Sequence, residues 1–126
     1  MKNLLVALIF ALPMLSFVGN EAAITTAIGK GDVETLSKYF DETVEICIIE
    51  LEDMLDKDEA KSEIKTFFAA NQPESFRVVH NGTSKGQDSR YFIGELKTVN
   101  DKFRVYVYMK NSNNAYLIQE IRFEKK

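Results

Sequence analysis

The sequence is short of the residues that most often announce chemistry. It has one cysteine, Cys47, and one histidine, His80, in 126 residues. A single cysteine cannot close an internal disulfide, so a domain of this length must be held by its core. Cys47 lies in the apolar run Val44–Ile49, which makes it a small core residue rather than a reactive thiol. No paired Cys or His spacing marks a zinc site, and the acidic stretch from Glu50 to Glu59 lacks the glycine that turns a calcium loop, so no metal and no cofactor is expected. Neither a phosphate-cradling glycine loop nor a nucleophile, base and orienter set can be read. Repeats and low-complexity segments are also missing. No apolar run approaches the roughly twenty residues a membrane-spanning helix needs, so no stable membrane anchor is expected.

The apolar run that is present has another use. Lys2 supplies a short positive start, and Leu4 to Leu15 then carry no charge, broken only by Pro13. About a dozen apolar residues behind a positive start is the pattern of a cleavable export leader. The sequence therefore predicts a signal peptide over residues 1–20, cut near Gly19 or Asn20, and a single exported domain over residues 21–126, periplasmic or secreted. A lipid anchor would need a cysteine just after the run, and there is none.

Sixteen basic and nineteen acidic residues give a net charge of −3, a balance that argues against nucleic acid as a partner. The charge is unevenly placed. Glu21 to Phe76 holds fourteen acids and five bases, whereas Arg77 to Lys126 holds five acids and ten bases. Either the two halves attract each other within the fold, or a basic sheet surface meets an acidic partner.

Ala22–Ile28 reads as a short helix, broken by Gly29 and Gly31 before Asp32 caps a second one with Val33, Leu36, Tyr39 and Phe40 on its apolar face. Thr43 to Leu51 is a β-branched run that predicts one strand, with Val44, Ile46 and Ile48 on one side and Glu45, Cys47 and Ile49 on the other. Asp56 and Glu59 have capping-box spacing, and Ala60, Ile64, Phe67 and Phe68 repeat at helical intervals, so a longer helix is predicted over Lys57–Ala70. Four strands follow: 76–84, 89–99, 103–110 and 115–124, separated by Gly- and Asn-containing turns. The order implies an α+β fold, a curved antiparallel sheet with helices on one face.

That order resembles the nuclear transport factor 2-like fold, also described as ketosteroid-isomerase-like or cystatin-like, in which sheet and helices enclose a cone. The Gly31–Asp32 opening, the Phe67–Phe68 pair and the segments FRVVHNG (76–82), YFIGEL (91–96), FRVYVY (103–108) and IQEIRFE (118–124) are similar to a bacterial exported family of unknown function, DUF4783. The resemblance implies the cone fold and export, and carries no chemistry with it.

Enzymes of the resembled fold keep acid–base groups in the cone. Strand parity puts His80 with Phe76 and Val78, and Gln119 with Leu117, Ile121 and Phe123, so both are pocket candidates, each with a plain core role as the alternative. Tyr91 and Glu95 complete the pocket set. On the last strands, Arg104, Tyr106, Tyr108 and Lys110 share one parity, and Tyr116, Ile118, Glu120 and Arg122 another. Arg104, Tyr106, Tyr108, Tyr116 and Arg122 are accordingly candidates for an interface on the convex face, with an ordinary solvated sheet exterior as the alternative. Two functions are consistent with this set. One is a binding module that takes a small apolar ligand in the cone or a protein partner on the sheet, including a homodimer through the sheet. The other is an acid–base enzyme using His80 with Glu95 or Tyr91. The first is favoured, because the polar candidates form no catalytic set.

Overall fold

The computed structural model describes residues 15–126, without the side chains of residues 15–19 and Gln87. Most of the expected leader lies outside the described residues. Helix α1 (Leu15–Lys30) runs into α2 (Val33–Ser37), then β1 (Phe40–Ile48), β2 (Leu51–Asp56), α3 (Lys57–Ala70), β3 (Pro73–Thr83), β4 (Ser89–Thr98), β5 (Lys102–Ser112) and β6 (Ala115–Lys125). Among the described residues no helix is long and apolar enough to cross a membrane.

The two caps form as the sequence predicts. The Asp32 carboxylate accepts from the Thr35 amide at 3.1 Å and opens α2. At α3 the capping box is complete: Asp56 accepts from the Glu59 amide at 2.8 Å, and the Glu59 carboxylate accepts from the Asp56 amide at 3.4 Å. Such a cap contributes on the order of 1 kcal/mol by satisfying amides that a helix start leaves free.

The strands make one curved, open sheet in the order β2-β1-β6-β5-β4-β3. Four of its pairings are antiparallel, as expected, and β1 lies parallel to β6. That exception follows from the path: β2 and α3 carry the chain to the far edge, and the four-strand meander returns to β1 running the same way. Strand β2 itself is absent from the sequence expectation, which read a single strand to Leu51 followed by an acidic rim. The hairpin between β1 and β2 turns at Ile49 and Glu50 with Ile49 at φ +56°, a conformation that β-branched residues seldom adopt and that no turn-forming residue announces.

The inner face of the sheet and the helices share one core. Phe92 and Leu96 of β4, Phe103, Val105 and Val107 of β5, and Ile118, Ile121 and Phe123 of β6 are buried there, with Ile24, Ile28, Leu36 and Ile64 from the helices. Phe67 sits at its centre, its ring 4.5 Å from that of Phe123, 5.0 Å from Phe103 and 5.9 Å from Phe68. Gly94 leaves room for this packing: a Cβ there would stand 2.3 Å from Phe76 Cζ.

Candidate functional site

Two irregularities decide which side chains reach which face. On β3 the pairing with β4 slips between Val78 and His80, and on β6 the pairing with β5 slips at Tyr108–Met109, where Gln119 is the extra residue. Each bulge reverses the alternation beyond it.

The four expected pocket residues are therefore not gathered in the cone. Phe76 and Val78 pack on the core, but beyond the bulge His80 is exposed and lies opposite Ile93 on the outer face. Tyr91 is outside too, its ring centroid 5.7 Å from His80 and 6.1 Å from Tyr106. Gly82 makes this possible, because a Cβ at that position would be 2.6 Å from Tyr91 Cε1, so the ring lies against the strand backbone. Glu95 is an ion-paired surface acid. A hydrogen bond from the Lys126 ammonium, with that charge and that of Arg77 at 3.1 Å, holds its carboxyl below the usual range. Gln119, at the bulge, donates through Nε2 to Asp41 Oδ2 at 2.6 Å, and this bond holds the Asp41 carboxyl below its ordinary range.

The interior where the alternative reading would place an acid–base pair is occupied by the Phe67 cluster. At the rim between α1 and β4, beside a concavity of about 270 Å³ lined by Glu21, Ala22, Thr25, Val78 and Arg90, Glu21 of α1 bridges Arg90 at 3.3 Å, and the Arg90 guanidinium stands 5.4 Å from the centre of the Tyr116 ring. Tyr116 is thus a buried inner-face residue, a correction to its expected place at an interface. It precedes the β6 bulge, so it shares the inner face with Ile118, whereas Glu120 and Arg122 beyond the bulge point outward.

The other interface candidates do come together on the outer face. Strand register aligns His80, Ile93, Tyr106, Arg122, Cys47 and Glu52 in one row across the sheet, and Gly82, Tyr91, Tyr108, Glu120, Glu45 and Met54 in the next. Arg104 lies in the row on the other side of the first, between Glu95 and Glu124. Tyr91, Ile93, Tyr106 and Tyr108 are half-buried, and a shallow concavity of about 390 Å³ opens between Ile93, Arg104, Tyr106, Glu120, Arg122 and Glu124. Arg122 Nε donates to Glu120 Oε2 at 2.5 Å, and this bond raises the guanidinium's affinity for its proton. Burial, then the Glu120 charge, pushes the Tyr106 phenol up, so the ring is a neutral contact group.

Sequence spacing also missed one cluster. The parallel β1–β6 pairing brings donor atoms of Glu45, Cys47 and Glu120 within 4.8 Å of one another. Burial pushes the Cys47 thiol up and so keeps it protonated, and the Arg122 guanidinium already neutralises Glu120; both oppose use of the trio as a cation site.

A curved open sheet over helices, with strand order β2-β1-β6-β5-β4-β3, defines the nuclear transport factor 2-like and cystatin-like class. A Nostoc punctiforme protein of unknown function with a cystatin-like fold matches with a TM-score of 0.67 at 14% identity, covering 94% of each chain. An NTF-2 like protein of unknown function from Silicibacter pomeroyi matches with a TM-score of 0.64 at 10% identity, covering 94% of this chain and all of that one. Within this class the chain belongs to the DUF4783 family, a domain of unknown function whose model matches residues 21–124. The family member from Bacteroides ovatus is 34% identical over 83% of this chain and 94% of its own, with a TM-score of 0.79, and that from Bacteroides uniformis is 30% identical over 83% and 95%, also at 0.79. No curated protein matches the sequence.

Proposed function

We propose that the protein is an exported, non-enzymatic interaction module that binds a protein surface through the outer face of its sheet. The observation that carries this reading is the composition of that face: three tyrosines and Ile93 clustered at its centre, half-buried, and ringed by arginine, lysine and glutamate. Tyrosine brings a large apolar area with a hydroxyl that stays satisfied in water or against a partner, and tyrosine and arginine are the residue types enriched at interfaces. The inner face favours binding over catalysis, since phenylalanine rings fill the space where a substrate and an acid–base pair would meet. Export rests on the charged start and uncharged apolar run of the first fifteen residues, which precede the segment matched by the family model.

The test is retention on immobilised protein. Wild type and Tyr108→Glu are compared for the proteins they hold from an extract of the native host, with added untagged chain among them. The glutamate places a charge at the centre of the face and should remove what wild type retains, with the melting curve unchanged. A mutant that retains the same set would overturn the reading.

A further inference from the structure

The sheet ends in two free edges, β2 and β3, and they are built differently. An edge strand turns every second amide and carbonyl away from its neighbour, and proteins blunt such edges with proline, bulges, charge or a covering segment. Strand β3 has two of these devices: it starts at Pro73, and its pairing slips between Val78 and His80. Strand β2 has only charge, and of one sign. It pairs with β1 in unbroken register from Leu51 to Asp56, contains no proline, lysine or arginine, and is exposed along its length apart from the half-buried Leu55, so among the described residues nothing covers it. Leu55 packs against the core, which sets Leu51 and Asp53 on the inner side of the edge and Glu52 and Met54 on the outer side. Three of the five large apolar residues exposed among the described residues, Ile49, Leu51 and Met54, fall on this one hairpin. Exposed apolar groups scattered singly are ordinary, so their gathering here sets the hairpin apart. Interleaved with them are Glu50, Glu52 and Asp53, none in a salt bridge among the described residues. The Met54 amide is met by the Asp53 carboxylate at 2.9 Å, a side chain holding the donor that a neighbouring strand would take.

We propose that the free edge of β2 is a strand-addition site for an extended peptide segment of a partner, basic opposite Glu52 and Asp53 and apolar opposite Leu51, Met54 and Leu55. The site is separate from the outer-face surface proposed above. In strand addition the main chain supplies the hydrogen bonds, and side chains on the two sides of the added strand supply the choice of sequence. Charge decides the occupant. Pairing with a second copy of β2 would bring Glu52, Asp53 and Asp56 of one edge against the same acids of the other, and like charges opposite each other on adjacent strands are disfavoured. A basic strand turns the same acids into cross-strand pairs. Its carbonyl replaces Asp53 on the Met54 amide, which releases the carboxylate to meet the base, while Leu51 and Met54 gain apolar neighbours that they lack in the free protein. Acid of one sign thus guards the edge against its own kind and leaves it open to the opposite sign.

The probe is a blocked synthetic peptide, Thr-Val-Val-Lys-Arg-Val-Thr, which when antiparallel to β2 sets its arginine opposite Glu52, its lysine opposite Asp53 and its second valine opposite Met54. It is titrated into labelled wild-type protein and followed by amide chemical shifts and hydrogen exchange. Amides of residues 51–55 should shift together, those of Glu52 and Met54 should exchange more slowly, and binding should weaken as salt is raised. Glu52→Lys/Asp53→Lys should bind the peptide about tenfold more weakly. The same variant should bind a peptide with glutamate in place of both the lysine and the arginine better than wild type does, a reversal that loss of folding cannot produce. A third peptide, with proline at the second valine, keeps the charges but lacks the amide that strand addition uses, so it should not bind. Equal binding of the proline peptide, shifts centred on Tyr91, Tyr106 and Tyr108 instead of β2, or no binding of the first peptide up to about 1 mM overturns the proposal. The Tyr108→Glu retention test of the outer face is decided separately from all of these results.

Discussion

Gln119 stands where β6 has one residue more than β5, and its amide reaches Asp41 at 2.6 Å across the start of β1. A hydrogen bond to an ionised carboxylate in a partly exposed setting contributes about 1 kcal/mol. The bond lowers the folded-state pKa of Asp41 below its unfolded value, so its stabilisation is present above the ordinary carboxylate range and is lost as pH falls through the lowered folded value. Gln119→Leu should therefore cost about 1 kcal/mol in denaturant unfolding at pH 7, and the gap to wild type should close as the pH is taken below about 4. An unchanged gap at low pH would show that the loss comes from packing. Gln119 also marks how far single residues were legible. Its polarity singled it out in the sequence, but the bulge that gives it a partner depends on how β5 and β6 meet, and no local pattern encodes that. His80 was misplaced for the same reason: strict alternation from Phe76 and Val78 puts it inside, and one slipped pairing puts it out.

Among the elements, α3 was readable to both ends because its signals are local: an Asp–Glu capping box at one end, apolar residues at helical spacing, and Asn71 before Pro73 at the other. Strand β2 was not readable. Its residues are mostly exposed and acidic, and the hairpin before it turns through Ile49 in a left-handed conformation with the side chain 57% exposed. Holding a β-branched residue there costs roughly 1–2 kcal/mol, a cost the antiparallel pairing of β1 with β2 outweighs. Ile49→Asn should relieve most of that strain while losing little buried area, raising stability by about 1 kcal/mol. The unfolding midpoint in denaturant checks it, and a fall in the midpoint would mean that the isoleucine side chain contributes packing the turn needs.

At the scale of the whole molecule, the fold separates two jobs between two faces. The inner face spends its phenylalanines on joining α3 to the sheet, and the outer face keeps its tyrosines, arginines and glutamates within reach of solvent. Alternation within β5 foretold this division, since Phe103, Val105 and Val107 are inside and Arg104, Tyr106 and Tyr108 outside as their spacing implies. What alternation could not supply was lateral order. The parallel return of β6 beside β1 sets Glu45 next to Glu120 and places the acidic strands at one end of the face, and that neighbourhood exists only once the sheet is assembled. The central claim is that this outer face is the binding surface. The most direct measurement follows amide chemical shifts of labelled wild-type protein titrated with the proteins it retains from an extract of the native host. Amides around Tyr91, Ile93, Tyr106, Tyr108, Glu120 and Arg122 should shift or broaden together, while those of α1 and α3 stay fixed. Shifts confined to the helices or to the free edges of β2 and β3 would contradict the account.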